Sequence, residues 1–263
     1  MTQAPKSDPY TDTVEVGGVA TWYRVTGEGE PLVLLHGGLT DASEFVATEP
    51  ALTPDFRVFT PERRGHGHSP DVEGPITYDL MAEDTVAFLD QVVGGPAHLV
   101  GHSDGANVAL MVALRRPDLV RRLVLVSANF NHDGLVPETL DLINDLAEMD
   151  VMADAYGAVS PDGRDHFATV AAKIDRMIRE EPTMTTADLA GVAARTLVIA
   201  GDDDAIAPEH TLSLFRSIPV AELAIVPGTS HVLLLDKPEL CNQILVDFLT
   251  REAVATLMPI RRS

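Results

Sequence analysis

Cysteine is nearly absent from this chain of 263 residues. Cys241 stands alone, so no internal disulfide can form and a packed core has to stabilise the fold. It lies in an apolar helical pattern with Ile244, Leu245 and Phe248, which marks it as a buried structural thiol rather than a reactive one. Positive charge is also scarce. Lysine occurs only at Lys6, Lys173 and Lys237, and 19 basic against 40 acidic residues leave a formal net charge of −21. Such a surface repels phosphate backbones and anionic lipid, which argues against nucleic acid and membrane as partners. No apolar run approaches the roughly 20 residues of a membrane span. The polar stretch Met1 to Thr13 lacks the apolar segment of a signal peptide, and a cytoplasmic location is expected.

Core material, by contrast, is plentiful. Hydrophobic residues make up 45% of the chain, enough for one large α/β domain or a domain with an insertion. Segments 14–16 and 20–25 flank Gly17-Gly18 and predict an antiparallel hairpin. Apolar runs at 31–35, 57–60, 97–100, 123–126, 195–200 and 221–226 predict six further strands. Helical spacing recurs over 78–93, 104–116, 208–217 and 238–249. Apolar strands alternating with helices imply an α/β fold with a mostly parallel eight-stranded sheet covered on both faces. The alternation breaks once, between 129 and about 192. There, helical patterns near 138–149 and 165–180 are punctuated by Pro137, Gly157, Pro161-Asp162-Gly163 and Pro182. So long a block cannot be an unstructured loop, and it predicts a helical cap at 129–193, inserted after the sixth strand between core segments 1–128 and 194–263.

The strand at 97–100 feeds Gly101-His102-Ser103-Asp104-Gly105, and a helical pattern follows at once. A serine on a strained strand-to-helix turn needs neighbours without Cβ atoms, and the turn exposes its hydroxyl at the edge of a sheet. An ordinary turn with an N-capping serine would explain Ser103 but not the glycine on each side. A serine hydroxyl becomes a nucleophile only when a base takes its proton and a third group orients that base. Gly201-Asp202-Asp203-Asp204 follows one buried strand, and Pro227-Gly228-Thr229-Ser230-His231 follows the next. Both loops leave the same sheet edge as Ser103, where open α/β folds place their ligands.

These motifs, in this order, resemble the α/β-hydrolase fold family over about residues 14–250, and within it the biphenyl-hydrolase-like and esterase branch. The resemblance implies Ser103 as nucleophile, His231 as base and Asp204 as acid, three residues after Gly201 and four before Pro208. Asp133 is a rival acid, since some members place it after the sixth strand, and Asp202 and Asp203 become turn or rim residues. His36-Gly37-Gly38 matches the oxyanion turn, with N–H donors expected from Gly38 and Asp104, or Leu39 in place of Gly38. Gly37 and Asp104 are expected to touch substrate. The Asp104 carboxylate would meet a substrate ammonium, or else simply favour the first turn of its helix. Glu62, where members commonly carry aspartate, is expected to matter only for local hydrogen bonding. Serine at the elbow argues against dehalogenases and epoxide hydrolases, which use aspartate there. Carbon–carbon hydrolases acting on ring-cleavage products stay open.

The expected function is hydrolysis of a small to medium carboxylic ester, lactone or thioester through an acyl-enzyme, with a small molecule as partner and no metal or organic cofactor. A homodimer is left open. The rival is a ligand receptor that keeps the hydrolase fold and turns over slowly.

Overall fold

Continuous apolar runs become strands buried on both faces. The computed structural model describes residues 9–253 and 256–258. Positions 1–8 of the polar N-terminal stretch, read above as no signal peptide, lie outside the described residues. The strands are β1 (Tyr10–Val16), β2 (Val19–Thr26), β3 (Glu30–Leu35), β4 (Phe56–Pro61), β5 (Ala97–His102), β6 (Val120–Val126), β7 (Arg195–Asp203) and β8 (Ala221–Ser230). They form one sheet in the order β1-β2-β4-β3-β5-β6-β7-β8. β2 pairs antiparallel with both neighbours, and the other pairings are parallel. The expected eight-stranded, mostly parallel sheet is the one observed.

The helices are α1 (Glu49–Leu52), α2 (Tyr78–Phe88), α3 (Asp104–Arg115), α4 (Pro137–Glu148), α5 (Asp150–Val159), α6 (Phe167–Glu180), α7 (Thr186–Leu189), α8 (Pro208–Ser217), α9 (Leu233–Asp236) and α10 (Pro238–Thr250). Alternation along the strands decides which helices lie on which face. Val33, Leu35, Leu99, Leu123, Leu125 and Val198 pack with α2, α3 and α8 in one cluster. Leu32, Leu34, Val100, Val124, Val126, Leu197 and Ile199 pack with α1, α9 and α10 in the other. Cys241 is fully buried in this second layer, as its helical pattern predicts.

Helices α4 to α7 occupy the interval between β6 and β7 where no strand pattern occurs. α4 and α6 match the two predicted helical patterns, but α5 was not anticipated. Gly157, expected to punctuate this stretch, instead lies inside α5. A Cβ there would come within 2.6 Å of the Arg164 Cβ, so the glycine serves close packing rather than a break. α6 buries Phe167, Val170, Ala171, Ile174 and Met177, one helical stripe, and this stripe joins the cluster containing α2 and α3.

The tightest backbone contact in the core lies where α3 begins. A Cβ on Gly105 would sit 2.0 Å from the Leu35 carbonyl oxygen, and one on Gly101 would sit 2.2 Å from the Gly105 carbonyl oxygen. Both obstacles are backbone and neither can swing aside. Gly105→Ala should therefore cost about 3 kcal/mol of unfolding free energy in urea titration. Gly94→Ala, at φ 79° and ψ 21° with open space around it, should cost about 1 kcal/mol from its backbone conformation alone. Equal losses would contradict this account of the contact.

Candidate active site

One residue carries β5 into α3. Ser103 sits at φ 52° and ψ −120°, a region L-residues rarely occupy. Strain of this kind, of order 1–3 kcal/mol, persists only where the surroundings over-determine it. Gly101 and Gly105 let the flanking backbone close, and the Ser103 N–H is held by the Val126 carbonyl of the neighbouring strand at 2.9 Å. The hydroxyl is thereby fixed at the C-terminal edge of the sheet.

The loops after β7 and β8 bring two more predicted residues to it. His231 Nε2 lies 2.9 Å from Ser103 Oγ, and His231 Nδ1 lies 2.7 Å from Asp204 Oδ1. Oδ1 of Asp204 also accepts the Ile206 N–H at 3.2 Å. Its Oδ2 accepts the Ser127 hydroxyl at 2.6 Å and the Gly201 N–H at 3.2 Å. Burial pushes this carboxyl upward, but hydrogen bonding and charge from His231 outweigh it and hold the pKa below the ordinary aspartate value. Asp133, the rival acid, takes no part; its side chain is 85% exposed and its neighbour is His132. Asp202 acts as a loop residue: its Oδ1 accepts the N–H groups of Gly228 (2.6 Å) and Thr229 (3.1 Å), pinning the chain that leads to His231.

The turn after β3 faces the same point. The amides of Gly38 and Asp104 have no acceptor among the described residues, and Leu39 lies at φ 56°. Gly37, expected to touch substrate, lines the cavity; its N–H is donated to Glu44 Oε2 at 2.9 Å and its carbonyl accepts Thr40 Oγ1 and Arg63 Nη2. No polar group of Gly37 remains for substrate. Asp104 is only 4% exposed. Its Oδ1 accepts the Tyr78 hydroxyl at 2.5 Å, while Oδ2 has no partner and presses on Gly38, where a Cβ would come within 2.3 Å. Burial raises the pKa of this carboxyl, against the opposing charge of Arg63. Glu62 does form local hydrogen bonds, to the Ala42 and His68 amides.

A cavity of about 570 Å³ opens above Ser103. Its floor is Ser103, Asp104 and His231, and its walls include Leu142, Tyr156 and Phe167 from the segment between β6 and β7. None of the described lining residues is a lysine or arginine. No cluster of three or more metal-ligating side chains occurs among the described residues. No helix there is long and apolar enough to cross a membrane. Sequence reasoning missed Ser127, Glu44 and Tyr78 and assigned no role to His102. For Ser127 a signal existed: a polar residue directly past the end of an apolar strand, on the edge that carries Ser103. For Tyr78 there was none, since it reads as the first residue of an amphipathic helix.

Comparison with known proteins identifies the family. The chain is 30% identical over 270 residues to the dihydrolipoyllysine-residue acetyltransferase component of an acetoin cleaving system from Pseudomonas putida, spanning 92% of this chain and 70% of that one. It is 28% identical to a 2-hydroxymuconate semialdehyde hydrolase from Pseudomonas sp. strain CF600, over 97% and 99% of the two chains. The crystal structure of an enol-lactonase from Burkholderia xenovorans LB400 superposes with a TM-score of 0.76 at 24% identity, covering 91% of this chain and all of the other. A family model described as the alpha/beta hydrolase family matches residues 32–244. With its sheet order, its elbow and this match in register, the chain belongs to the alpha/beta hydrolase family.

Proposed function

We propose that this hydrolase cleaves a small to medium carboxylic ester, lactone or thioester through an acyl-enzyme on Ser103. The observation that carries the reading is the relay Asp204–His231–Ser103, with links of 2.7 and 2.9 Å, opening into an apolar cavity. Ser103 Oγ attacks the ester carbonyl as its proton passes to His231 Nε2, and Asp204 holds the Nδ1–H and offsets the imidazolium charge. The oxyanion is received by the N–H groups of Gly38 and Asp104, with Leu39 as the alternative to Gly38. Collapse expels the alcohol, which takes the proton from His231. Water then gives a proton to His231 and attacks the acyl carbon, and collapse releases the acid as His231 returns that proton to Ser103 Oγ. Every step balances with substrate and water alone.

Segment 129–193 serves in this reading as a cap that supplies the acyl-chain contacts and excludes water. The lining also discriminates between substrates. With Asp104 and Glu44 on the cavity wall, no lysine or arginine among the described lining residues and His102 already paired with Glu44, a substrate carboxylate would be buried without a partner of its own. This argues against a carbon–carbon hydrolase of carboxylate-bearing ring-cleavage products. It favours neutral or cationic acyl groups.

A panel of p-nitrophenyl esters tests the reading directly. Butyrate to octanoate esters should show sustained multiple turnover, and an acyl chain ending in carboxylate should lose at least tenfold in kcat/KM, about 1.4 kcal/mol. Covalent labelling by a fluorophosphonate with near-zero turnover would support the receptor reading instead. Faster cleavage of the carboxylate substrate would overturn the account of the lining.

The roles of the relay are tested by substitution. Ser103→Ala should abolish turnover and labelling, and Asp204→Asn should lower kcat by roughly 10³–10⁴. Asp133→Asn and Asp203→Asn should stay within about tenfold. A collapse in Asp133→Asn with Asp204→Asn near normal would move the acid to the loop after β6.

A further inference from the structure

A second buried pair of ionisable groups lies beside the relay and takes no proton in the steps above. Glu44 Oε1 stands 2.6 Å from His102 Nδ1, and the side chains of both residues are only 6% exposed. The other histidine nitrogen, Nε2, is 2.8 Å from the backbone carbonyl of His231. A carbonyl can only accept, so Nε2 carries a hydrogen. The 2.6 Å contact is a charge contact not aligned as a hydrogen bond, and a neutral ring would leave the buried Glu44 carboxylate without an ion-pair partner. Glu44 Oε2 meanwhile accepts two hydrogen bonds, from Gly37 N–H at 2.9 Å and Thr40 Oγ1 at 2.6 Å, as a carboxylate does. The arrangement is that of a buried imidazolium–carboxylate pair. Burial works against the charge on each, but each partner outweighs it, raising His102 and lowering Glu44 from their ordinary pKa values. Asp204 and Asp104 add to the field that favours the charged His102, and His36 and His231 also face it.

The pair touches three separate pieces of the site. Glu44 grips residues 37 and 40 and so brackets Gly38 and Leu39, the latter held at φ 56°. His102 is the residue immediately before Ser103. Its Nε2–H holds the backbone of His231 itself, and the two rings lie 5.1 Å apart. A buried ion pair is weak evidence for stability, because desolvating two charges offsets most of their attraction. Its value lies in what it fixes. Resting on the functional reading above, we propose that Glu44 and His102 are positioning residues: a buried ion pair that locks the oxyanion turn and the base loop to the nucleophile elbow.

The experiment combines kinetics with a measurement that needs no ester. In Glu44→Gln and in His102→Gln, kcat for a p-nitrophenyl ester should fall about 10- to 100-fold with KM within threefold, because orientation rather than binding is lost. Fluorophosphonate labelling of Ser103, in which the Oγ–P bond forms as fluoride leaves, should slow by a similar factor. The double variant should be no more than about threefold worse than the worse single one, since both changes break one device. A proton–nitrogen NMR titration of the wild-type protein should show one histidine that keeps protons on both nitrogens to higher pH than a free imidazole, and Glu44→Gln should lose that imidazolium at lower pH. Multiplicative losses in the double variant, unchanged labelling in Glu44→Gln, or the absence of that imidazolium from the wild-type spectrum would overturn the clamp. A wild-type protein that neither labels nor turns over would contradict the functional reading instead, while the NMR signal still decides the ion pair.

Discussion

The site depends on one close backbone approach. The N-terminus of α3 packs so tightly on the end of β3 that a methyl group at Gly105 would lie 2.0 Å from the Leu35 carbonyl oxygen. That contact forces the chain to reverse from strand to helix in a single residue, and Ser103 takes the strained conformation the reversal requires. It also carries the amide of Asp104 to within reach of the turn after β3, so the proposed nucleophile and oxyanion donors are set by one packing event. The loops with the proposed acid and base then need only leave the neighbouring ends of β7 and β8, which the parallel order of the sheet guarantees.

Charge within the site is arranged in pairs that are buried but seldom left alone. Asp204 is hydrogen-bonded to His231, Ser127 and two amides. Glu44 faces His102. Asp104 has no such counterpart, with one oxygen on Tyr78 and the other unpartnered. A buried polar atom without a partner is costly, and at the wall of a cavity the cost is relieved only by what enters. This links the electrostatics of the floor to the proposed preference for neutral or cationic substrates, to which the apolar walls from α4, α5 and α6 would add affinity without charge.

Most of the fold was legible because the strands are apolar on both faces and the loops between them carry the glycines and the polar residues. The elbow, Asp204 and His231 were legible for the same reason: each sits directly beyond an apolar strand. α5 was not, because Gly157 reads as a helix breaker, and only the three-dimensional packing against Arg164 shows why a glycine is tolerated there. That the Gly37 amide is engaged while that of Gly38 is not was hidden, because sequence cannot tell which turn amides already have acceptors. Glu44, eight residues beyond His36, reveals its hold on that turn only once the chain folds back. The Asp104 environment was hidden for a similar reason, since its partner Tyr78 arrives from a helix 26 residues earlier.

The central claim is that Ser103 becomes covalently acylated. Acid quenching of the protein during turnover of a p-nitrophenyl ester, followed by peptide mass spectrometry, measures this directly. The account predicts one acyl group on the peptide carrying Ser103, absent when His231→Ala is treated identically. Ester turnover with no adduct, or an adduct on any other residue, would contradict it.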